Sequence, residues 1–281
     1  MNTVIKLLVC AMVLFSTTIT AQVFQGEATY KSHRKMSIQL DSSQVSSEMH
    51  QQMMDMMKKQ FEKTYILSFN KSESLYKEDK ALESPQMGGM QVVMVDTGGS
   101  DILYKNTKDE SFTSQSEVFG KVFLIEDQLE KQDWTLSNET KNIGEYTCYK
   151  ATYTREQPVV RSFISVNGDN DQEEDEDTEP EMEEIEVTAW YAPDLPVNNG
   201  PARYQGLPGL ILEVNDGGLT LMCSKIVLNS KDKIDISKPT KGKKVNQEKF
   251  DEIMEKKMKE MDERYNSERR DGHNVNIRIG G

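Results

Sequence analysis

The chain has 281 residues, of which 36% are hydrophobic and 29% charged, with a formal net charge of −13. That length suits one domain with a single modest core. The acidic balance and the lack of a basic cluster exclude a nucleic-acid footprint and give no attraction to an anionic membrane surface.

Lys6, the apolar run from Leu7 to Phe15 and the small Ala21 read as a secretory signal peptide over residues 1–21, cut before Gln22. The run is too short for a membrane span, and no other stretch has the length one needs. Cys10 follows Val9, where a lipoprotein signal wants a small residue, so it reads as ordinary filler of the leader. Residues 22–281 are then expected to form a single exported domain, periplasmic or secreted.

Phe24, Ala28 and Tyr30 fall on alternate positions, the pattern of a half-buried strand. Val45, Met49, Met53, Met56, Met57 and Phe61 then change the period to that of a Met-rich helix over 45–61. "TYILSFN" and "ESLYKE" return to strand, and residues 79–100, with Pro85 and four glycines, read as a long loop. The strands "DILYKN", "ESFTSQSEVF", "GKVFLIED", "WTLS", "GEYTCYKATYT" and "VRSFISVN" follow.

Residues 169–186 hold twelve acids and no base, so most of the net charge sits in one segment. So many like charges repel one another, and the run reads as a disordered, solvated acidic loop. Calcium would need oxygen ligands at set spacings around a tight turn, and that pattern is missing. After "IEVTAWYA", three Pro and three Gly crowd into "DLPVNNGPARYQGLPG" before "LILEV". Asn215 to Gly218 turn the chain into "LTLMCSKIVLN", and Phe250, Met254, Met258, Met261 and Tyr265 mark a C-terminal helix ended by Gly272. "NVNIRIGG" closes the chain as a small strand or a frayed tail.

Many short strands with a helix near each end predict a mainly β (α+β) domain: an antiparallel sheet covered by a Met-rich N-terminal helix and a C-terminal helix.

Candidate chemistry is sparse. The chain carries no G-x-S-x-G, no H-E-x-x-H, no P-loop and no dinucleotide fingerprint, and no cofactor is expected. Met54 and His50, four residues apart and off the helix's apolar stripe, are the candidate soft-metal ligands, Cu(I) above all. Glu213, beside the Pro/Gly turn, is the candidate catalytic carboxylate, with a solvated or strand-paired side chain as the alternative. Cys148 and Cys223, the two cysteines of the exported chain, can form a disulfide or remain buried free thiols. In "YQGLPGLI" (Tyr204, Gly206, Leu207, Pro208, Gly209, Leu210, Ile211), Pro208 and Gly209 suit the central positions of a type II turn, Gly209 supplying positive φ. Gly206 allows close backbone approach. The segment reads as scaffold: a structural turn feeding a buried strand.

Those residues carry a resemblance. "YQGLPGLILEV" resembles the signature of the GLPGLI family of exported bacterial envelope proteins. Trp134, Ile143, Gly144, Cys148, Lys150 and Ala151 are similar to its first block. Ala189, Trp190, Tyr191, Pro196, Val197, Gly200, Pro201 and Tyr204 are similar to its second. The resemblance implies export and association with outer-membrane TonB-dependent transport components. It also implies a strand pattern like that of the curved half-barrel lipid carriers, so a curved antiparallel sheet or half-barrel with the helices on its concave side is expected, and it supplies no catalytic residues. The resulting expectation is a non-enzymatic binding or accessory protein for an apolar ligand or a transport partner, with soft-metal binding as the alternative.

Overall fold

The computed structural model describes residues 24–35, 62–79, 102–158, 182–230 and 234–269. The stretch 1–21 read as a signal peptide, the Met-rich stretch 45–61 with His50 and Met54, the segment "VRSFISVN" expected as a strand and the C-terminal "NVNIRIGG" lie outside them.

The described residues form twelve strands, most of them at stretches of alternating sequence. They are β1 (Gly26–Arg34), β2 (Thr64–Phe69), β3 (Glu73–Glu78), β4 (Ile102–Asn106), β5 (Ser111–Val118) and β6 (Lys121–Gln128). The rest are β7 (Thr135–Ile143), β8 (Tyr146–Pro158), β9 (Met182–Ala192), β10 (Leu210–Asp216), β11 (Leu219–Leu228) and β12 (Lys243–Val245). One helix follows, α1 (Gln247–Arg269). In β1 the predicted phase is exact: Ala28 and Tyr30 are fully buried.

All twelve strands share one sheet in the order β12-β6-β5-β4-β3-β2-β1-β11-β10-β9-β8-β7. Two meanders, β1 to β6 and β7 to β11, therefore meet through the central β1–β11 pair. The expectation of a purely antiparallel sheet needs correction, because β12 runs parallel to β6. This strand is three residues long with both lysines exposed, so it offers no alternation to read. A second correction concerns the acidic run. Residues 182–186 belong to β9 rather than to the loop, pairing Met182 to Glu186 with Pro158 to Thr154 of β8. The strand keeps Glu183 and Glu184 exposed, so regular pairing costs these charges little hydration.

The connection from β6 to β7 sets the shape of the sheet. Six residues, 129–134, join a strand next to one edge to the strand at the other edge. Laid flat, ten strand steps would separate them by roughly 48 Å at about 4.8 Å a step. Six residues reach at most about 25 Å. The sheet must curl to bring these ends together, yet β7 and β12 remain unpaired edges and it does not close.

Residues 193–209, the Pro/Gly-rich stretch, fill the space the curl creates. Leu195, Val197, Asn199 and Leu207 are each no more than 2% exposed. Leu195 and Val197 pack in the larger core cluster with Tyr30, Leu67, Phe69, Leu103, Phe112, Phe123, Leu210 and Leu212. Leu207 packs in the second with Ala151, Val187, Ala189, Ile211, Val214 and Leu221. The segment has no ladder of its own, so its backbone groups are satisfied singly: Leu210 N donates to Leu195 O at 2.9 Å and Ile211 N to Asn199 O at 3.0 Å.

Candidate functional site

The Pro/Gly segment brings the polar groups of the interior together. Lys105 on β4 is fully buried, and its Nζ donates to the Gly200 carbonyl at 2.8 Å and the Tyr204 carbonyl at 3.1 Å. Burial, which penalises the charged form, pushes the ammonium pKa down to about 7. Tyr30 of β1 reaches past β11 to donate its hydroxyl to Ile211 O at 2.7 Å. Trp134, just before β7, donates Nε1 to Gln205 O at 2.8 Å and stands edge-on to Tyr153 at 4.6 Å.

Tyr204 turns to the second cluster, where its hydroxyl makes a short hydrogen bond to the Asp216 carboxylate. Arg155 holds the other oxygen of that carboxylate through Nε at 3.1 Å and Nη2 at 2.8 Å. Burial first, and then the Asp216 charge, push the Tyr204 phenol far above its ordinary range. The group therefore stays a donor at any physiological pH, and the trio ties the Pro/Gly segment to the β10–β11 turn.

The turn itself differs from the type II expectation. Gly209 does not have a positive φ; the left-handed glycine is Gly206, at φ 95°. Gly209 N donates to Leu207 O at 2.8 Å, closing a three-residue γ-turn centred on Pro208. An inverse γ-turn asks for φ near −75° at its centre, which the proline ring nearly fixes. Gly209 is needed for space: a Cβ there would lie 2.3 Å from Ala192 O. The roles read for the two glycines are thus exchanged.

Beyond the turn, Glu213 is 6% exposed. Its carboxylate accepts from Lys141 Nζ at 2.7 Å and from Asn215 Nδ2 at 2.9 Å, while the ammonium lies 4.4 Å from the Trp190 ring centre. This is the strand-paired alternative. Cys148 and Cys223 are free thiols buried in the same cluster. Burial pushes each up to about 11, so neither is a ready nucleophile. Among the described residues, no group of His, Cys, Asp and Glu is arranged to hold a metal ion.

An open cleft of about 300 Å³ lies beside the same segment, lined by Phe112, Asp127, Gln128, Leu129, Glu130, Gln132, Arg203 and Gln247. Arg203 stacks on Phe112 with its guanidinium carbon 4.3 Å from the ring centre, and Nη2 donates to Gln247 Oε1 at 2.6 Å. Burial lowers its pKa, against Glu130, Asp251 and Asp127, which favour the charged form. Asp127 accepts from the backbone N of Gln247 and Gln128, at 2.9 and 2.8 Å, and these bonds hold its carboxyl below the usual range. The cleft therefore joins an aromatic floor to amides and charges of both signs. Sequence reasoning missed Lys105 and Arg203. The Lys105 signal is its phase: on β4 it follows Leu103 by two residues, on the face that packs inward.

Residues 134–213 match the model of a family described as "Protein of unknown function (Porph_ging)". That span contains both blocks of the GLPGLI resemblance; the description supports similarity to an uncharacterised family and does not carry the GLPGLI name. No curated protein matches the chain. Two solved structures of PNGF-II, in the C2 and P21 crystal forms, share 14% and 15% identity with it at TM-scores of 0.46. They align over 82% of this chain and over 32% and 33% of theirs, so the chain spans about a third of their length. No helix among the described residues is long and apolar enough to cross a membrane.

Proposed function

We propose that the protein is an exported, non-enzymatic accessory protein of the bacterial envelope, and that it binds an outer-membrane transport partner through the Arg203 cleft. The observation that carries this reading is the cleft itself. Its cation, the half-buried Arg203, is presented by the Pro/Gly segment over Phe112, among the amides of Gln128, Gln132 and Gln247 and the carboxylates of Asp127 and Glu130. Such a lining suits polypeptide, which offers amides and charges to pair with. Occupation of the interior by Leu195, Val197 and Leu207 favours a protein partner over an apolar ligand, since the curl holds the protein's own side chains where a lipid carrier keeps its cargo. Glu213, held by Lys141 and Asn215, supports a structural rather than a catalytic role for the carboxylate nearest the turn.

Crosslinking in the native envelope tests the proposal. Gln128 and Glu130 are exposed, so Gln128→Trp and Glu130→Lys change the cleft without touching the core. Wild type is expected to recover a TonB-dependent transport component, and the double variant to recover at least tenfold less at an unchanged melting temperature. Equal recovery by both proteins rejects the cleft as the binding site.

A further inference from the structure

Six strand ends meet at one edge of the sheet. Because consecutive strands from β1 to β6 are antiparallel, β1, β3 and β5 end there at Arg34, Glu78 and Val118. β2, β4 and β6 begin there at Thr64, Ile102 and Lys121.

Helix α1 runs out past this same edge. It starts beside Asp127, near the far end of β6, and one turn later Phe250 stands edge-on to Phe123 at 5.5 Å. Phe123 is only two residues from the start of β6. The helix therefore runs back along the strand. Its 23 residues span about 34 Å, so it continues beyond Lys121.

Burial along α1 follows that path. Phe250 and Ile253 pack on the core, and Met254 is 8% exposed. Met258 and Met261, one and two turns further along the same stripe, are each 39% exposed. The β5–β6 turn adds Phe119 at 39% and Val122 at 36% at that edge. Four large apolar side chains thus stand in water where the helix leaves the sheet.

We propose that residues 45–61 of this chain dock on this patch. The segment lies within the 26 residues, 36–61, that leave β1 and return to β2 at the edge in question. Its apolar residues Val45, Met49, Met53 and Met56 repeat at spacings of four, four and three, the spacing of Phe250, Met254, Met258 and Met261 on α1. Reach is adequate. From β2 to β6 is four strand steps, about 19 Å, and seventeen residues span about 25 Å even at the short rise of 1.5 Å a residue. The nine residues 36–44 supply up to about 30 Å for the return to β1. Tethering gives the segment an effective concentration of about millimolar at the patch, an advantage over any second copy of the chain. Flexible thioethers on both sides can adapt to one another without exact complementarity.

The test is site-specific photocrosslinking in the full chain, with Met261→p-benzoylphenylalanine as the probe and Met222→p-benzoylphenylalanine as the control. Met222, on β11, is 46% exposed and away from the patch. The position 261 probe is expected to give a product of monomer mass, crosslinked within residues 45–61, in a yield independent of dilution. Met49→Asp with Met53→Asp should lower that yield at least fivefold without moving the melting temperature of the sheet. Products of dimer mass, crosslinks concentrated in residues 80–101, or equal yield from the control would each overturn the proposal.

Discussion

Lys105 Nζ lies 2.8 Å from the carbonyl oxygen of Gly200, and this contact joins the middle of β4 to the segment that fills the curl. A lysine in that position carries a pH dependence whose sign is fixed. Its folded pKa of about 7 lies below the unfolded value of 10.5. Between those two values the unfolded chain holds the extra proton, so stability rises with pH through that window and is flat below it. Lys105→Met should remove that rise. Urea unfolding at pH 7.0 and 8.5 is the measurement: the gain in stability on raising the pH should be larger in wild type by about 1–2 kcal/mol. The variant removes the donor from the buried Gly200 carbonyl, a loss of about 1–3 kcal/mol, and from the part-buried Tyr204 carbonyl, a smaller one, and both apply at either pH. A parallel gain in the two proteins would contradict the assignment.

Gly206 and Gly209 should fail for different reasons. Gly206→Ala places a Cβ at φ 95°, in space that Trp134 approaches no closer than 3.5 Å. It should cost about 1–2 kcal/mol, from backbone strain alone. Gly209→Ala meets the backbone of Ala192 and Pro193 at 2.3–2.8 Å. That contact cannot be relieved by a rotamer change, and the loss should exceed about 3 kcal/mol. Thermal denaturation of the two variants should rank them in that order.

Glu213→Gln tests whether the carboxylate near the turn is structural. The change leaves Lys141 without its partner in a site where Glu213 is almost fully buried. A loss of about 1–3 kcal/mol in chemical denaturation is expected. Recovery of the envelope partner per folded molecule should be unchanged.

Thiol reactivity separates the two readings of the cysteines. With both thiols buried and pushed up to about 11, the folded protein should react slowly with a thiolate-trapping reagent at pH 8. In denaturant without reductant, Cys148 and Cys223, followed by peptide mapping, should then both be labelled rapidly. Failure of both to be labelled there would establish a Cys148–Cys223 bridge.

Local rules made much of the architecture readable. Period-two alternation located β1 through its Ala28 and Tyr30, and a continuous apolar run located β10. Gly217 and Gly218 marked the β10–β11 turn, and a helical stripe beginning at Phe250 located α1. In each case side-chain chemistry within a few residues decides the backbone. The sequence also showed that Gly206, Pro208 and Gly209 shape a turn, because proline and glycine restrict or free φ wherever they stand.

Which glycine does what was decided only by the assembled chain. Gly209 needs its missing Cβ because Ala192, seventeen residues earlier, presses against it. The six-residue link from β6 to β7 forces the sheet to curl only because strand order puts its two ends far apart. That curl draws residues 193–209 inside, buries Lys105 against Gly200 and Tyr204, and opens the Arg203 cleft beside Phe112. Burial, desolvation and close approach depend on residues distant in sequence, so tertiary structure alone lowered the pKa of an ordinary strand lysine and of a loop arginine.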